Sequence, residues 1–231
     1  MERNQVRRFL EGMKLFSKPH PWHGINIGND SPHIIKVFIE LVPGDTMKYE
    51  LDKESGYLKV DRPQRFSNIC PMPYGFVPQT LCAERIGEYC MNKTGQSNIK
   101  GDNDPLDICV ITERNIPHGN LILDAIPLGG LRMIDGEEAD DKIIAVLSGD
   151  ATFGHMRDIS EVPEHMVERL SHYFLTYKQR PFNNGKRECE ITDIYNHEEA
   201  FEVIDRSRED YNTRFNTDKK ELFKLIDAGL E

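Results

Sequence analysis

The chain has 231 residues, with 29 Lys and Arg against 39 Asp and Glu for a formal net charge of −10, and is 38% hydrophobic and 29% charged. That length allows one domain with a sizeable core, and the composition suits a soluble globular protein. The acidity argues against nucleic acid or an anionic membrane as main partner, but not against a small anion held by local basic groups. The five cysteines, Cys70, Cys82, Cys90, Cys109 and Cys189, are odd in number and form no C-x-x-C pair. They predict free buried thiols rather than a disulfide framework. No apolar run is long enough for a signal peptide or a membrane span, so the expected location is the cytoplasm, where the sequon Asn92-Lys93-Thr94 is incidental.

Residues 1–33 mix charge, Pro and Gly around Pro19-His20-Pro21-Trp22-His23-Gly24. They read as a short helix near 3–14 and then a surface arm suited to packing on a neighbouring subunit. His20 and His23 are metal ligands by type but have no evident third partner, so a structural role is expected. The apolar run Ile34 to Val42, around a lone Glu40, predicts a strand. A carboxylate in such a run sits at an exposed edge or is kept for a cation. After the turn Pro43-Gly44-Asp45, Met47, Tyr49 and Leu51 alternate with Lys48 and Glu50, which predicts a second strand. The turn Asp52-Lys53-Glu54-Ser55-Gly56 leads into a third over Tyr57–Arg62. Taken alone, Lys48, Glu50 and Arg62 are the solvated face of a hairpin. Pro63 to Pro78, with Pro71, Pro73, Tyr74, Gly75 and Phe76, reads as ordered irregular chain that presents side chains. Residues 83–101 are polar and form an excursion from the sheet.

Gly101-Asp102-Asn103-Asp104-Pro105-Leu106-Asp107 then places three carboxylates within six residues, ahead of the apolar Ile108-Cys109-Val110-Ile111. In extended chain Asp102 and Asp104 point to one side, and Pro105 stiffens the segment against helix. Like charges that close repel unless a cation or proton intervenes, and a hard divalent ion such as Mg²⁺ fits oxygen ligands of this kind. The bland alternative is a solvated acidic turn. A calcium loop of EF-hand type fails because Leu106 takes a ligand position and Asp107 that of the required glycine. An aspartate-nucleophile phosphatase fails because its strand would precede the carboxylates. Further strands are expected at 108–112, 121–127 and 143–147, with Gly129-Gly130 between.

Asp135-Gly136-Glu137-Glu138-Ala139-Asp140-Asp141-Lys142 is a charged loop, mostly solvated by composition, from which one or two residues can reach the first cluster. Helices are expected only at the end. Met166, Leu170, Tyr173, Phe174 and Tyr177 keep helical spacing between Pro163 and Pro181, with further helices near 197–212 and 217–228. Short antiparallel strands followed by helices argue α+β, with a closed or half-closed barrel as core.

Taken together, these pieces resemble the soluble inorganic pyrophosphatases of family I. The resemblance runs from Glu40 to Lys178, interrupted mainly by 83–101. It rests on Asp102-Asn103-Asp104-Pro105-Leu106-Asp107, on Lys48-Tyr49-Glu50 with Asp52–Gly56 and Val60-Asp61-Arg62, and on Tyr74-Gly75. The spacing of Asp135, Asp140 and Lys142, and Tyr177-Lys178, complete it. It implies a small five-stranded antiparallel OB-like barrel with flanking C-terminal helices. One unit would span 1–231, with the arm 1–33, a catalytic core 34–195 carrying the insertion 83–101, and a helical tail 196–231.

Carried over by position, the resemblance implies that Asp102, Asp107, Asp135 and Asp140 hold metals, Asp107 and Asp140 more than one ion each, with Glu40 at the rim for a further ion. Asp104 would accept the proton of the attacking water. Lys48, Arg62, Tyr74, Lys142, Tyr177 and Lys178 would contact phosphate, Tyr74 also as a catalytic group, with Glu50 a partner of Lys48. Several Mg²⁺ ions are implied, with Mn²⁺ or Zn²⁺ as substitutes, and a homo-oligomer, dimer or hexamer. The arm, insertion and tail fall outside the family's minimal core and are expected to alter subunit contacts rather than chemistry.

The residue chemistry agrees with this reading. A compact polyanion such as pyrophosphate needs acidic groups to collect metal ions, and Lys, Arg and Tyr to hold its oxygens. No G-x-x-x-x-G-K-[ST] loop is present to grip a nucleotide. A non-catalytic divalent-cation-binding barrel explains the carboxylates but leaves Lys48, Arg62, Lys142 and Lys178 as coincidence. An oligonucleotide-binding barrel conflicts with the net charge, and a broader phosphatase would want an apolar or base-stacking wall.

Overall fold

The apolar run after the arm forms β1 (Ile35–Leu41), and the alternating segment forms β2 (Met47–Leu51), which returns as β3 (Leu58–Pro63). A computed structural model describes residues 17–180 and 189–228 of the chain, so the helix expected near 3–14 lies outside the described residues. There follow β4 (Tyr74–Phe76), α1 (Glu84–Thr94), β5 (Lys100–Gly101) and β6 (Asp107–Ile111). Then come β7 (Leu121–Asp135), β8 (Glu138–Ala139), β9 (Lys142–Leu147), α2 (Glu164–Thr176), β10 (Cys189–Asn196) and α3 (His197–Ala228).

β1 pairs with β4 and β7, β4 with β6, β6 with β9, and β9 with β7, which closes a ring of five strands. The expected five-stranded core is present, except that β6 and β9 run parallel, so the ring is not wholly antiparallel. β7 is 15 residues long, enough to pair with β1 at its start, β9 in its middle, and β8 and β10 towards its end. The β2–β3 hairpin stands as a separate two-stranded sheet.

Several expectations are corrected. Gly129-Gly130 lies inside β7 rather than between strands, because β10 crosses there. A Cβ at Gly130 would sit 2.5 Å from the Tyr195 ring, and one at Gly129 2.3 Å from the Tyr195 carbonyl. Helices are not confined to the end, since α1 occupies the polar excursion. It stops at Gly95, whose φ of 71° is the left-handed cap that glycine adopts without strain. The two last helices are one continuous α3. β4 interrupts the irregular Pro63–Pro78 stretch, and β10 is a strand beyond those expected.

The core has two sides. Val37, Ile39, Val110 and Ile143 pack with Ile86 and Cys90 of α1 and with Ala200, Val203 and Ile204 of α3. Leu41, Ile111, Leu131 and Val146 pack with Val167, Leu170 and Phe174 of α2. Each such aliphatic side chain contributes about 1.5–3 kcal/mol by leaving water. All five cysteines are buried and unpaired. The described part of the arm folds onto its own chain. Trp22 is buried, its Nε1 donates to the Thr80 carbonyl at 2.8 Å, and its ring meets Phe215 of α3 edge-on at 5.4 Å. His23 Nδ1 lies 2.8 Å from the Tyr211 hydroxyl and His20 Nε2 3.2 Å from the Lys53 carbonyl, both structural contacts. Among the described residues no helix is long and apolar enough to cross a membrane.

Candidate active site

One cavity of about 250 Å³ opens where the hairpin, the acidic turn and the ends of β7 and α2 meet. β1 brings Glu40, the hairpin Lys48, Glu50 and Arg62, and β4 Tyr74. The turn before β6 brings Asp102, Asp104 and Asp107. The end of β7 and start of β9 bring Asp135, Asp140 and Lys142, and the end of α2 brings Tyr177 and Lys178. Every residue to which the resemblance gives a site role lines this cavity, whereas His20 and His23 do not.

The acidic segment is a turn rather than extended chain. Asn103 takes φ 60°, and the Asp104 N–H donates to Asp102 Oδ1 at 2.9 Å. Asn is among the few residues that adopt this conformation readily. Backbone bonds from Cys82 N–H to the Asp104 carbonyl (2.8 Å) and from Asn103 N–H to the Cys82 carbonyl (2.9 Å) fix the turn. The Leu106 N–H adds a bond to Thr80 Oγ1 at 2.9 Å. Asp102 and Asp104 therefore share a cavity because the backbone bends, not because it alternates.

Burial and crowding set the charges. Burial, then Asp140 and Asp107, push Asp102 up to about 8, and Asp140 is raised by its own burial against the pull of Lys142. Glu40 is pushed up to about 8 by burial and by Asp107, while its Oε1 accepts the Leu51 N–H at 2.6 Å. Lys142 is 2% exposed and its ammonium contacts both Asp107 and Asp140. Burial works against that ammonium, but the two carboxylates outweigh it and hold its pKa well above the usual lysine value. Tyr74 donates to Asp107 Oδ2 at 2.6 Å, and burial with that carboxylate keeps its hydroxyl protonated. Lys178 contacts Asp135, Lys48 contacts Glu50, and the Arg62 guanidinium contacts Asp61 and stands 5.9 Å from the Tyr177 ring. Burial pushes the Tyr177 hydroxyl up to about 12.

Six lining residues carry no site role in the sequence analysis: Trp22, Leu51, Lys53, Phe76, Pro105 and Glu138. Lys53 contacts Asp104 and stands 5.9 Å from the Trp22 ring. Its place directly after the strand Met47–Leu51 was the available signal, whereas Trp22, in the arm, offered none.

Among the described residues no three acidic, histidine or cysteine side chains already converge on one coordination point. Lys142 stands between Asp107 and Asp140 instead, and Lys178 against Asp135. The donor set still fits a hard divalent cation. It offers carboxylate oxygens, half-buried at 102 and 140, whose pKa values are raised first by desolvation and then by neighbouring carboxylates, a cost that such a cation relieves. Carboxylates beside lysine, arginine and tyrosine hydroxyls define a phosphohydrolase site for a compact polyanion.

The comparisons narrow that class. The family profile of inorganic pyrophosphatase matches residues 37–212. The chain is 50% identical over 199 residues to an inorganic pyrophosphatase of Chlamydia trachomatis, covering 85% of this chain and 95% of that one. It is 38% identical over 192 residues to soluble inorganic pyrophosphatase 1 of Arabidopsis thaliana, covering 83% and 80%. The crystal structure of inorganic pyrophosphatase from Thermus thermophilus superposes with a TM-score of 0.69 at 28% identity, over 84% of this chain and 99% of that one. The chain belongs to the inorganic pyrophosphatase family. It is a pyrophosphate-hydrolysing enzyme, divalent-metal dependence comes with that membership, and a non-catalytic cation-binding barrel is not supported. The family match runs past Lys178 to residue 212, so the insertion and the first half of α3 lie within it.

Proposed function

We propose that pyrophosphate lies in this cavity between the carboxylates and the basic groups, and that water attacks one phosphorus in line with the bridging oxygen. The observation that carries the reading is the meeting of Asp102, Asp104, Asp107, Asp135 and Asp140 with Lys48, Arg62, Lys142 and Lys178 around one polar cavity. Asp104 accepts the proton of the attacking water, and its half-exposed carboxylate supports that assignment because it meets solvent at the cavity edge. Lys48, Arg62, Lys142 and Lys178 bind phosphate oxygens as charge redistributes, and Glu50 orients Lys48. Tyr74 and Tyr177 stay protonated and donate hydrogen bonds, Tyr74 to the departing phosphate.

Asp102, Asp107, Asp135 and Asp140 would hold Mg²⁺, several ions to a site, with Glu40 for a further ion and Mn²⁺ or Zn²⁺ as substitutes. Such ions, when bound, neutralise phosphate charge and lower the pKa of water towards ~7 in favourable cases. The assembly we propose is a cytoplasmic homo-oligomer, a dimer or hexamer, which sedimentation equilibrium distinguishes.

The test is phosphate release from pyrophosphate with and without Mg²⁺, beside Asp104→Asn. Fast release that needs metal and is lost in the variant supports both the reaction and the role of Asp104. Equal rates in the two proteins overturn the role of Asp104 alone. No release with any divalent ion overturns the hydrolysis.

A further inference from the structure

Arg132 of β7, outside the cavity, is 1% exposed. Its Nη1 lies 2.6 Å from Glu199 Oε1 of α3, and its Nη2 3.6 Å from Asp141 Oδ2. The rings of Tyr89, from α1, and Tyr195, from β10, flank the guanidinium with centroids at 5.2 and 4.9 Å. The Tyr195 hydroxyl donates to the same Asp141 oxygen at 3.1 Å, and Lys93 of α1 donates to the second Glu199 oxygen at 2.8 Å. The hydrolysis described above uses none of these groups.

Asp141 sits between Asp140 and Lys142 in the chain. Asp140 and Lys142 line the cavity, while Asp141 turns the other way, into the Arg132 site. A guanidinium does not shed its proton when buried, so its charge must be met by fixed carboxylates. The arrangement carries a cost in stability. Nε and Nη2 of Arg132 and Oδ1 of Asp141 have no hydrogen-bond partner, and apolar residues commonly replace such a buried pair without loss.

We propose that Arg132 and Tyr195 are positioning residues for Asp140 and Lys142. By fixing Asp141 from behind, they fix the direction in which its two neighbours enter the cavity. Through Tyr89 and Glu199 the same cation ties that placement to α1 and α3, so the insertion and the tail bear on the chemistry. The inference rests on Asp140 being a metal ligand.

The test is Mg²⁺ binding to the purified full chain by titration calorimetry, with melting temperatures taken on the same samples. Four variants are compared with the parent: Tyr195→Phe, Asp141→Asn, the double change Arg132→Met with Asp141→Leu, and Asp140→Asn as reference. Residues that orient ligands from behind change metal affinity by about 10–100-fold when altered. Asp141→Asn is expected to weaken Mg²⁺ binding about tenfold by that measure. Tyr195→Phe, which removes a single hydrogen bond and keeps the ring, is expected to weaken it less. The double variant is expected to melt near the parent and still bind Mg²⁺ poorly, which a purely structural pair would not do. Parent-like affinity in Tyr195→Phe and Asp141→Asn, with Asp140→Asn weakened, overturns the positioning role and leaves the ligand assignment standing. Parent-like affinity in Asp140→Asn overturns that assignment and the positioning role with it.

Discussion

Lys142 joins two carboxylates of the cavity, Asp107 on β6 and Asp140 before β9, the second of which burial raises. Replacing it by Met would take from both the buried ammonium that they share. Breaking a buried pair in this way is destabilising by about 3–5 kcal/mol. Lys142→Met is therefore expected to melt well below the parent in EDTA and to recover part of the difference at saturating Mg²⁺, because the ion binds the native state. Phosphate release is expected to fall about 10²–10³-fold, as when one preorganised electrostatic group is removed. A variant that melts with the parent in EDTA would show that Lys142 does not hold these carboxylates.

The charged lining of the cavity was legible at this scale because most of its members stand in short local patterns, Lys48 with Glu50, Asp102 to Asp107, and Asp135 to Lys142. Trp22 joins the wall only through a chain crossing, and no local pattern marks a residue for that.

α1 is an element whose start is written elsewhere in the chain. Ala83 offers no side-chain cap, and the N-terminal donors are met by the fully buried carboxylate of Asp210 on α3, at 3.0 Å from Ala83 N and 3.1 Å from Arg85 N. Asp210→Ala would leave those N–H groups and the Arg85 guanidinium without their acceptor. A loss of about 2–4 kcal/mol is expected from cap removal and buried unsatisfied donors together. It is measurable by urea denaturation, and faster amide exchange should be concentrated in Glu84–Thr94. Exchange that rises evenly across the sheet would mean that Asp210 is not a cap for this helix.

The distant cap also explains why the sequence of α1 resembles a polar excursion, while α2, with Pro163 at its start and an apolar stripe to Tyr177, carries its own helical signal. β10 gave no alternation because few of its side chains, Cys189 and Tyr195, are buried. The break expected between 212 and 217 has no Gly or Pro behind it, and the helix runs through it.

At the scale of the whole molecule, the described parts of the arm and α3 complete the core of their own chain. Trp22 packs beside Phe38, Phe76 and Tyr211, and the Leu81 N–H donates to the Ser207 carbonyl of α3 at 2.8 Å, one residue before Cys82 grips the acidic turn. These segments join one continuous packing from α3 to the acidic turn. A chain ended after Asn196 would lose Ala200, Val203, Ile204 and Tyr211, all buried, and expose the ring face that they cover. It is expected to aggregate and to show no cooperative melt, by light scattering and calorimetry, whereas a soluble cooperative fold would show that the ring is sufficient alone.

The five sequestered sulfurs give this molecule an internal record of its own opening. Burial raises the pKa of every one of these thiols, so alkylating reagents find almost no thiolate in the native state. Their distribution divides the protein into reporting districts. Cys82 and Cys90 belong to the packing around α1, Cys70 and Cys109 to the packing beneath α2, and Cys189 lies 3.4 Å from Asp135 at the cavity wall. The order in which they become modified during slow denaturation reads out, without any added probe, which part of the fold lets go first.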